Sequence, residues 1–103
     1  MKETQYQAKL IKKLETLFPG CLIIRIDSRQ IQGLPDILIL FNDHWAVLEV
    51  KLADDSRTQP NQEYYVNMLN DMSYASFINP ENEEEVLSDL QSAFGIIRAA
   101  RIP

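Results

Sequence analysis

The apolar positions of this chain first recur at helical spacing and later form short continuous runs. Tyr6, Leu10, Leu14 and Leu17 mark one face of a helix that is predicted over residues 3–18. A Pro-Gly pair then ends the helix. The pattern therefore predicts an amphipathic helix that packs on whatever follows it.

Three strands are predicted next, over residues 21–26, 36–41 and 44–52. The middle run is apolar after its first residue, which is typical of a central strand that is buried on both faces. A polar loop ending in Gly33-Leu34-Pro35 precedes it, and Asn42-Asp43, a common turn pair, follows it. The last two strands are therefore expected to form a hairpin.

The second half of the chain predicts a helix over 59–72, a short strand over 74–78 and an acidic helix that starts at Asn79-Pro80. The expected buried face of the first of these helices consists of Tyr65, Met68, Leu69 and Met72. The expected fold is one α/β domain, residues 1–103, with the order helix, three-stranded antiparallel meander, helix, strand and C-terminal helix.

The composition argues against a membrane protein, a secreted protein and a protein built on cysteine chemistry. No apolar run approaches the roughly 20 residues of a membrane span, and the polar start is unlike a signal peptide, so a cytoplasmic protein without a membrane partner is expected. Cys21 is the only cysteine, which excludes an intrachain disulfide and a cysteine-built zinc site.

The net charge of −5 is carried by the C-terminal part of the chain. Residues 1–62 hold eight basic and eight acidic residues, and the remaining residues hold seven acids and two arginines. This distribution argues against strong non-specific binding to polyanions, which depends on neutralising phosphates. It does not exclude DNA as a partner.

Two acids and a lysine stand at the ends of the apolar strands. If Asn42-Asp43 is a two-residue turn, counting back along both strands brings Asp36 opposite Glu49, with their Cβ atoms about 4.5–5.5 Å apart. Lys51 would share the face of Glu49, because side chains alternate along a strand. A three-residue turn would shift the register and remove this pairing.

Like charges placed opposite each other repel, and a divalent cation between them would turn that repulsion into binding. Oxygen ligands on a rigid sheet suit Mg²⁺ or Mn²⁺, which would polarise a phosphate oxygen and lower the pKa of a bound water. Lys51 would orient or deprotonate that water, and Glu3 would complete the metal's ligands directly or through water. The competing interpretation is a solvated acid pair with an exposed salt bridge.

The order of these motifs resembles the PD-(D/E)XK nuclease superfamily, and within it the small VRR-NUC nucleases of phages and bacteria. The matching residues, between about 3 and 78, are Glu3, Gly33-Leu34-Pro35-Asp36, Glu49-Val50-Lys51 and Gln62. The resemblance implies a restriction-endonuclease-like core. It implies that Asp36, Glu49 and the main-chain carbonyl of Val50 are metal ligands, that Lys51 is the catalytic lysine and that Gln62 orients the site.

The resemblance also implies structure-selective cleavage of branched DNA such as Holliday junctions, by a homodimer, in phage or bacterial replication, recombination or repair. Arginine suits phosphate contacts, and helix N-termini favour anions. The residues predicted to contact DNA, some of them gathered by the dimer, are Lys12, Lys13, Arg25, Ser28, Arg29 and Arg57.

Other functions stay open at this point. One is a less selective nuclease that nicks duplex DNA, and another is a non-catalytic module of the same fold that binds nucleic acid or protein. A third is a small interaction domain whose acidic last helix docks a basic partner. His44, the only histidine, lies at the far end of the hairpin and is predicted to be structural.

Overall fold

A computed structural model describes residues 1–27, 29–52 and 60–95 of the chain. The elements follow the predicted order, and their bounds are α1 (Glu3–Leu17), β1 (Leu22–Arg25), β2 (Ile37–Phe41), β3 (His44–Val50), α2 (Pro60–Met72), β4 (Tyr74–Ile78) and α3 (Glu83–Ala93). None of the helices in the described ranges has the length and apolar character needed to cross a membrane.

The four strands form one mixed sheet in the order β1-β2-β3-β4. The first three run antiparallel, which confirms the predicted meander, and β4 lies parallel to β3. A parallel pair needs a crossover connection, and α2 lies within this one. β2 and β3 are the interior strands of the sheet, as the apolar pattern of β2 predicts.

One face of the sheet is covered by α1 and α3. The strands contribute alternate buried residues to this core, as expected from the two-residue period of a strand. The buried members from the two helices are Tyr6, Leu10, Leu14, Val86 and Leu90. Three rings close the end of the core nearest the hairpin turn, where Phe18 lies 5.4 Å from Phe41 and 5.1 Å from Phe94 between ring centroids. His44 stacks on Phe94, consistent with its predicted structural role.

Within the described ranges, α2 is the helix that packs on the other face of the sheet, and it covers part of that face. Val66 and Leu69 of α2 pack against the β3 and β4 half, whereas Leu22, Ile24 and Leu40 on the remaining half are 57, 41 and 36% exposed. The predicted buried face of α2 is wrong at Met72, which is 64% exposed because it is the last residue of the helix, where the chain turns into β4.

The last helix begins three residues after the predicted start. The side chain of Asn79 accepts hydrogen bonds from the backbone N–H groups of Glu81 and Asn82, both at 2.8 Å, and Asn82 Oδ1 accepts one from Asn79 N–H. These bonds hold a turn over 79–82, since asparagine side chains compete with helical backbone bonds. Glu81 therefore lies outside the first helical turn, which holds Glu83–Glu85.

Removing Leu10 from the core should destabilise the fold strongly. Leu10 is fully buried between α1 and the sheet, so Leu10→Ala is expected to lower the free energy of unfolding by about 2–5 kcal/mol. Leu22→Ala, the same change at an exposed position, should cost less than about 1 kcal/mol. Urea unfolding followed by circular dichroism measures both, and equal losses would contradict the described core.

Candidate functional site

The register of the β2–β3 hairpin agrees with the prediction. Asn42 takes a φ of 56° in the turn, a left-handed conformation that asparagine tolerates. Phe41 pairs with His44, and Ile37 pairs with Leu48 at the other end of the ladder. One further step along both strands brings Asp36 opposite Glu49.

Asp36 is fixed by hydrogen bonds to both neighbouring segments. Its Oδ2 accepts a bond of 2.9 Å from the backbone N–H of Val50, and its backbone carbonyl accepts one of 2.8 Å from Ile26 N–H. Pro35, directly before it, is fully buried. The carboxylate is therefore aimed at the end of β3 and not at solvent.

Glu49 is the one charged residue among those described that is buried. It is only 3% exposed, its Oε2 accepts a hydrogen bond of 3.1 Å from Gln62 Nε2, and Lys51 Nζ lies 3.9 Å from the same oxygen. This burial excludes the interpretation of a solvated acid pair. The structure thus brings together Asp36, Glu49, Lys51 and Gln62, which were predicted as one site.

Burial and the neighbouring carboxylate shift the titration of Glu49. Burial, followed by the charge of Asp36, raises the pKa of Glu49 to about 8, and the charge of Lys51 only partly offsets this. A hydrogen bond between the two carboxyl groups also raises this pKa, as does the charge of Glu3. Glu49 therefore holds its proton more tightly than an ordinary glutamate does.

Glu3 is near enough to Glu49 for its charge to raise the pKa of Glu49. It is exposed and precedes Tyr6, the first buried residue of α1. Across the described ranges, no three or more His, Cys, Asp or Glu side chains are placed to hold one metal ion. Glu3 is therefore not grouped with the acid pair in this way, and its role as a ligand, directly or through water, stays a prediction.

The acid pair by itself supplies carboxylate oxygens, the ligands that divalent cations such as Mg²⁺ bind in proteins. Mg²⁺ commonly binds one or two carboxylates and keeps several waters, so a third acid is not required. The Val50 carbonyl lies between Glu49 and Lys51 in the chain, and its predicted role as a ligand stays a prediction. All these donors are oxygens, which suits Mg²⁺ or Mn²⁺ better than softer metals.

The residues predicted to contact DNA lie in different parts of the fold. Arg25 is exposed at the end of β1 that pairs with Ile37, next to Asp36, and Arg29 is exposed on the following loop. Arg29 forms an ion pair of 2.7 Å with Asp27. Lys12 and Lys13 instead line a groove against α3, away from the acid pair. Ser28 and Arg57 lie outside the described residues.

One contact at the site is not predicted by the sequence. Gly33 packs directly against Asn61, the residue before Gln62, so closely that an added Cβ would lie 2.5 Å from Asn61 Cβ. The sequence offers one signal for this contact. Gly33 lies three residues before the candidate ligand Asp36, and glycine permits close approach of another backbone.

The acid pair should make the metal-free protein less stable at higher pH. The folded state binds a proton at Glu49 more tightly than the unfolded state, where the pKa has its ordinary value near 4.5. The free energy of unfolding therefore falls as the pH rises from about 5 to about 8. Glu49→Gln should remove this contribution and exceed the wild type in stability at about pH 8, by on the order of 2 kcal/mol.

Urea unfolding in the presence of EDTA measures this effect as the difference between wild type and variant at each pH. Glu84→Gln, the same change on an exposed residue of α3, is the control and should leave the pH dependence unchanged. Parallel curves for the wild type and Glu49→Gln would contradict a proton on the acid pair.

Comparison with known proteins identifies no relative on which to base an assignment. No protein-family model, no curated protein and no solved structure matches the chain. The candidate site therefore rests on the geometry and chemistry of its own residues.

Proposed function

We propose that this protein is a divalent-metal-dependent endonuclease that hydrolyses phosphodiester bonds in DNA. The observation that carries the proposal is the pairing of partly buried Asp36 with buried Glu49, with Lys51 Nζ 3.9 Å and Gln62 Nε2 3.1 Å from one Glu49 oxygen. Acids buried beside each other are costly, and perturbed carboxyl groups of this kind cluster at functional sites. The motif resemblance to the PD-(D/E)XK superfamily, and to its VRR-NUC group, supports the same activity.

The acid pair would hold the cation through Asp36 Oδ and Glu49 Oε atoms, with the Val50 carbonyl as a further ligand. When bound, a Mg²⁺ or Mn²⁺ ion polarises a phosphate oxygen and makes water a stronger nucleophile at neutral pH. A carboxylate binds a metal in its ionised form, so protons compete with the ion at Glu49, whose pKa is raised.

Lys51 and Gln62 have distinct roles in this proposal. Lys51, whose side chain is 16% exposed, lies on the acid face, where its charge would offset that of the phosphate. Its amino group would orient the attacking water or, in the unprotonated form, accept the proton that the water loses. Gln62 donates a hydrogen bond to Glu49 and fixes the orientation of that carboxylate. An ordered carboxylate presents its oxygens in one geometry, which lowers the cost of assembling the site.

The proposed substrate is branched DNA, and the surface charge supports recognition by shape. Among the described residues, Arg25 is exposed next to Asp36, Arg29 is exposed on the following loop and paired with Asp27, and the net charge of the chain is −5. Few phosphates can then be neutralised on a linear duplex, so affinity for duplex DNA should be low and sensitive to salt. A homodimer acting on Holliday junctions, in phage or bacterial cells, is the form that the motif resemblance favours.

Removing the acid or the lysine should abolish cleavage. With Mg²⁺, the wild type is expected to cut a labelled four-way junction faster than a linear duplex of the same sequence. Asp36→Asn and Lys51→Ala should each reduce the rate by about 100-fold or more. The first removes a proposed metal ligand and the second removes the proposed catalytic lysine.

Asp43→Asn is the matched control for this assay, because Asp43 lies exposed in the hairpin turn at the other end of β2. Cleavage of neither substrate in Mg²⁺ or Mn²⁺, or undiminished cleavage by Lys51→Ala, would reject the nuclease. Equal rates on junction and duplex would favour the less selective nicking enzyme, and metal-independent binding without cleavage would favour a binding module.

Metal binding can be measured without cleavage. Isothermal titration with Mn²⁺ should show binding that is tighter at about pH 8 than at about pH 6, because protons compete for the carboxylates. Saturating Mn²⁺ should also raise the free energy of unfolding, since the ion binds the folded state. Asp36→Asn should lose both effects and Asp43→Asn should keep them, whereas equal binding by the two variants would place the ion elsewhere.

A further inference from the structure

The loop before Asp36 and the start of α2 meet at a distance that only glycine permits. Gly33 is buried and has a φ of +97°, and a Cβ at this position would lie 2.5 Å from Asn61 Cβ and 2.8 Å from the Asn61 backbone carbonyl carbon. Part of the obstruction is backbone, so a change of side-chain rotamer cannot relieve it.

This contact closes a ring of interactions around the acid pair. On one side, the chain leads from Gly33 to Asp36, whose carboxylate is bonded to Val50 N–H at 2.9 Å. On the other side, Asn61 is followed by Gln62, which donates its bond to Glu49. Glu49 and Val50 are neighbours on β3, so the contact between Gly33 and Asn61 couples the position of α2 to that of the loop before Asp36.

We propose that Gly33 is a positioning residue, whose missing side chain sets the distance of α2 from the acid pair and so holds Gln62 against Glu49. The catalytic part of this inference rests on the proposed nuclease function. The structural part, the placement of the Gln62 side chain, does not depend on it.

The size of the expected displacement follows from atomic radii. Non-bonded carbons pack at about 3.5–4.0 Å, so a methyl group at residue 33 must push the loop and α2 apart by about 1 Å. A shift of that size would stretch the 3.1 Å bond between Gln62 and Glu49 past the limit of a hydrogen bond. A misplacement of about 1 Å can cost about 100-fold in rate even when the mutated residue does not touch the substrate.

Gly20 provides a matched control within the same chain. Gly20 has a φ of +90°, close to that of Gly33, but a Cβ there would meet nothing within 4 Å. Gly20→Ala and Gly33→Ala therefore carry a similar conformational penalty, and only Gly33→Ala adds the clash with Asn61. Any effect on the site beyond that of Gly20→Ala comes from the contact.

The first measurement is the side-chain amide resonance of Gln62 in ¹⁵N-labelled protein. In Gly33→Ala it should move toward the position of an exposed glutamine, and in Gly20→Ala it should stay at the wild-type position. The second is the kinetics of junction cleavage, in which kcat of Gly33→Ala should fall by about 10- to 100-fold relative to Gly20→Ala while KM changes little.

A double variant tests whether Gly33 acts through Gln62. Adding Gly33→Ala to Gln62→Ala should lower kcat no further, because the interaction that depends on the contact is already absent. Losses that multiply would overturn the proposal, as would a wild-type Gln62 resonance in Gly33→Ala. If Gly33→Ala fails to fold while Gly20→Ala folds, the contact serves the fold and the positioning role is rejected.

Failure of the proposed function would be recognised separately. A wild type that cleaves no DNA in Mg²⁺ or Mn²⁺ rejects the nuclease, and the Gln62 resonance then decides alone whether Gly33 sets the position of α2. Replacing Asn61 by glycine in the Gly33→Ala variant removes the nearest obstructing atom, so partial return of the resonance would support the contact.

Discussion

The candidate site depends on the length of one turn. Asn42 and Asp43 form a two-residue connection, and the resulting register places Asp36 opposite Glu49. Side chains alternate along a strand, so a register shift of one residue would move every side chain of β3 to the other face of the sheet. The acid pair and the core would then be lost together, which means that the turn that specifies the fold also assembles the site.

The acid pair is costly for the fold. Glu49 is almost fully buried beside a second carboxyl group, and Lys51 offsets only part of the effect that raises its pKa to about 8. A protein selected for stability alone would place apolar residues here, because well-packed apolar side chains often match or exceed the stability of buried charges. The hydrogen bonds from Gln62 and Val50 instead hold the two carboxyl groups in place, so the structure maintains an arrangement that would be relieved by a cation.

The two faces of the sheet have different tasks. The face under α1 and α3 carries the larger core and supplies the rigidity, with Leu10, Leu14 and Phe18 fully buried. The face under α2 carries the acid pair, and among the described residues Leu22, Ile24 and Leu40 on its β1 and β2 side are exposed. Helix α2 therefore contributes less to the core than α1, and its contacts with Glu49 and Gly33 link it to the chemistry of the site.

The sequence by itself determined the order of the elements, the antiparallel meander and the pairing of Asp36 with Glu49. These features follow from local spacing: apolar periodicity marks the elements, and a turn of known length sets a register that extends along the whole hairpin. The position of Lys51 follows in the same way, because it lies two residues after Glu49 on one strand. Gln62 was found only because its place in the chain resembles a known motif.

Only the tertiary structure decided which side chains are buried and which elements contact one another. Glu3 is exposed although it continues the apolar stripe of α1, and α3 starts late because Asn79 bonds the backbone of the residues that follow. The burial of Glu49 and the contact between Gly33 and Asn61 join segments that are distant in the chain. Local periodicity carries no information about such distances, since they depend on how separate elements pack against one another.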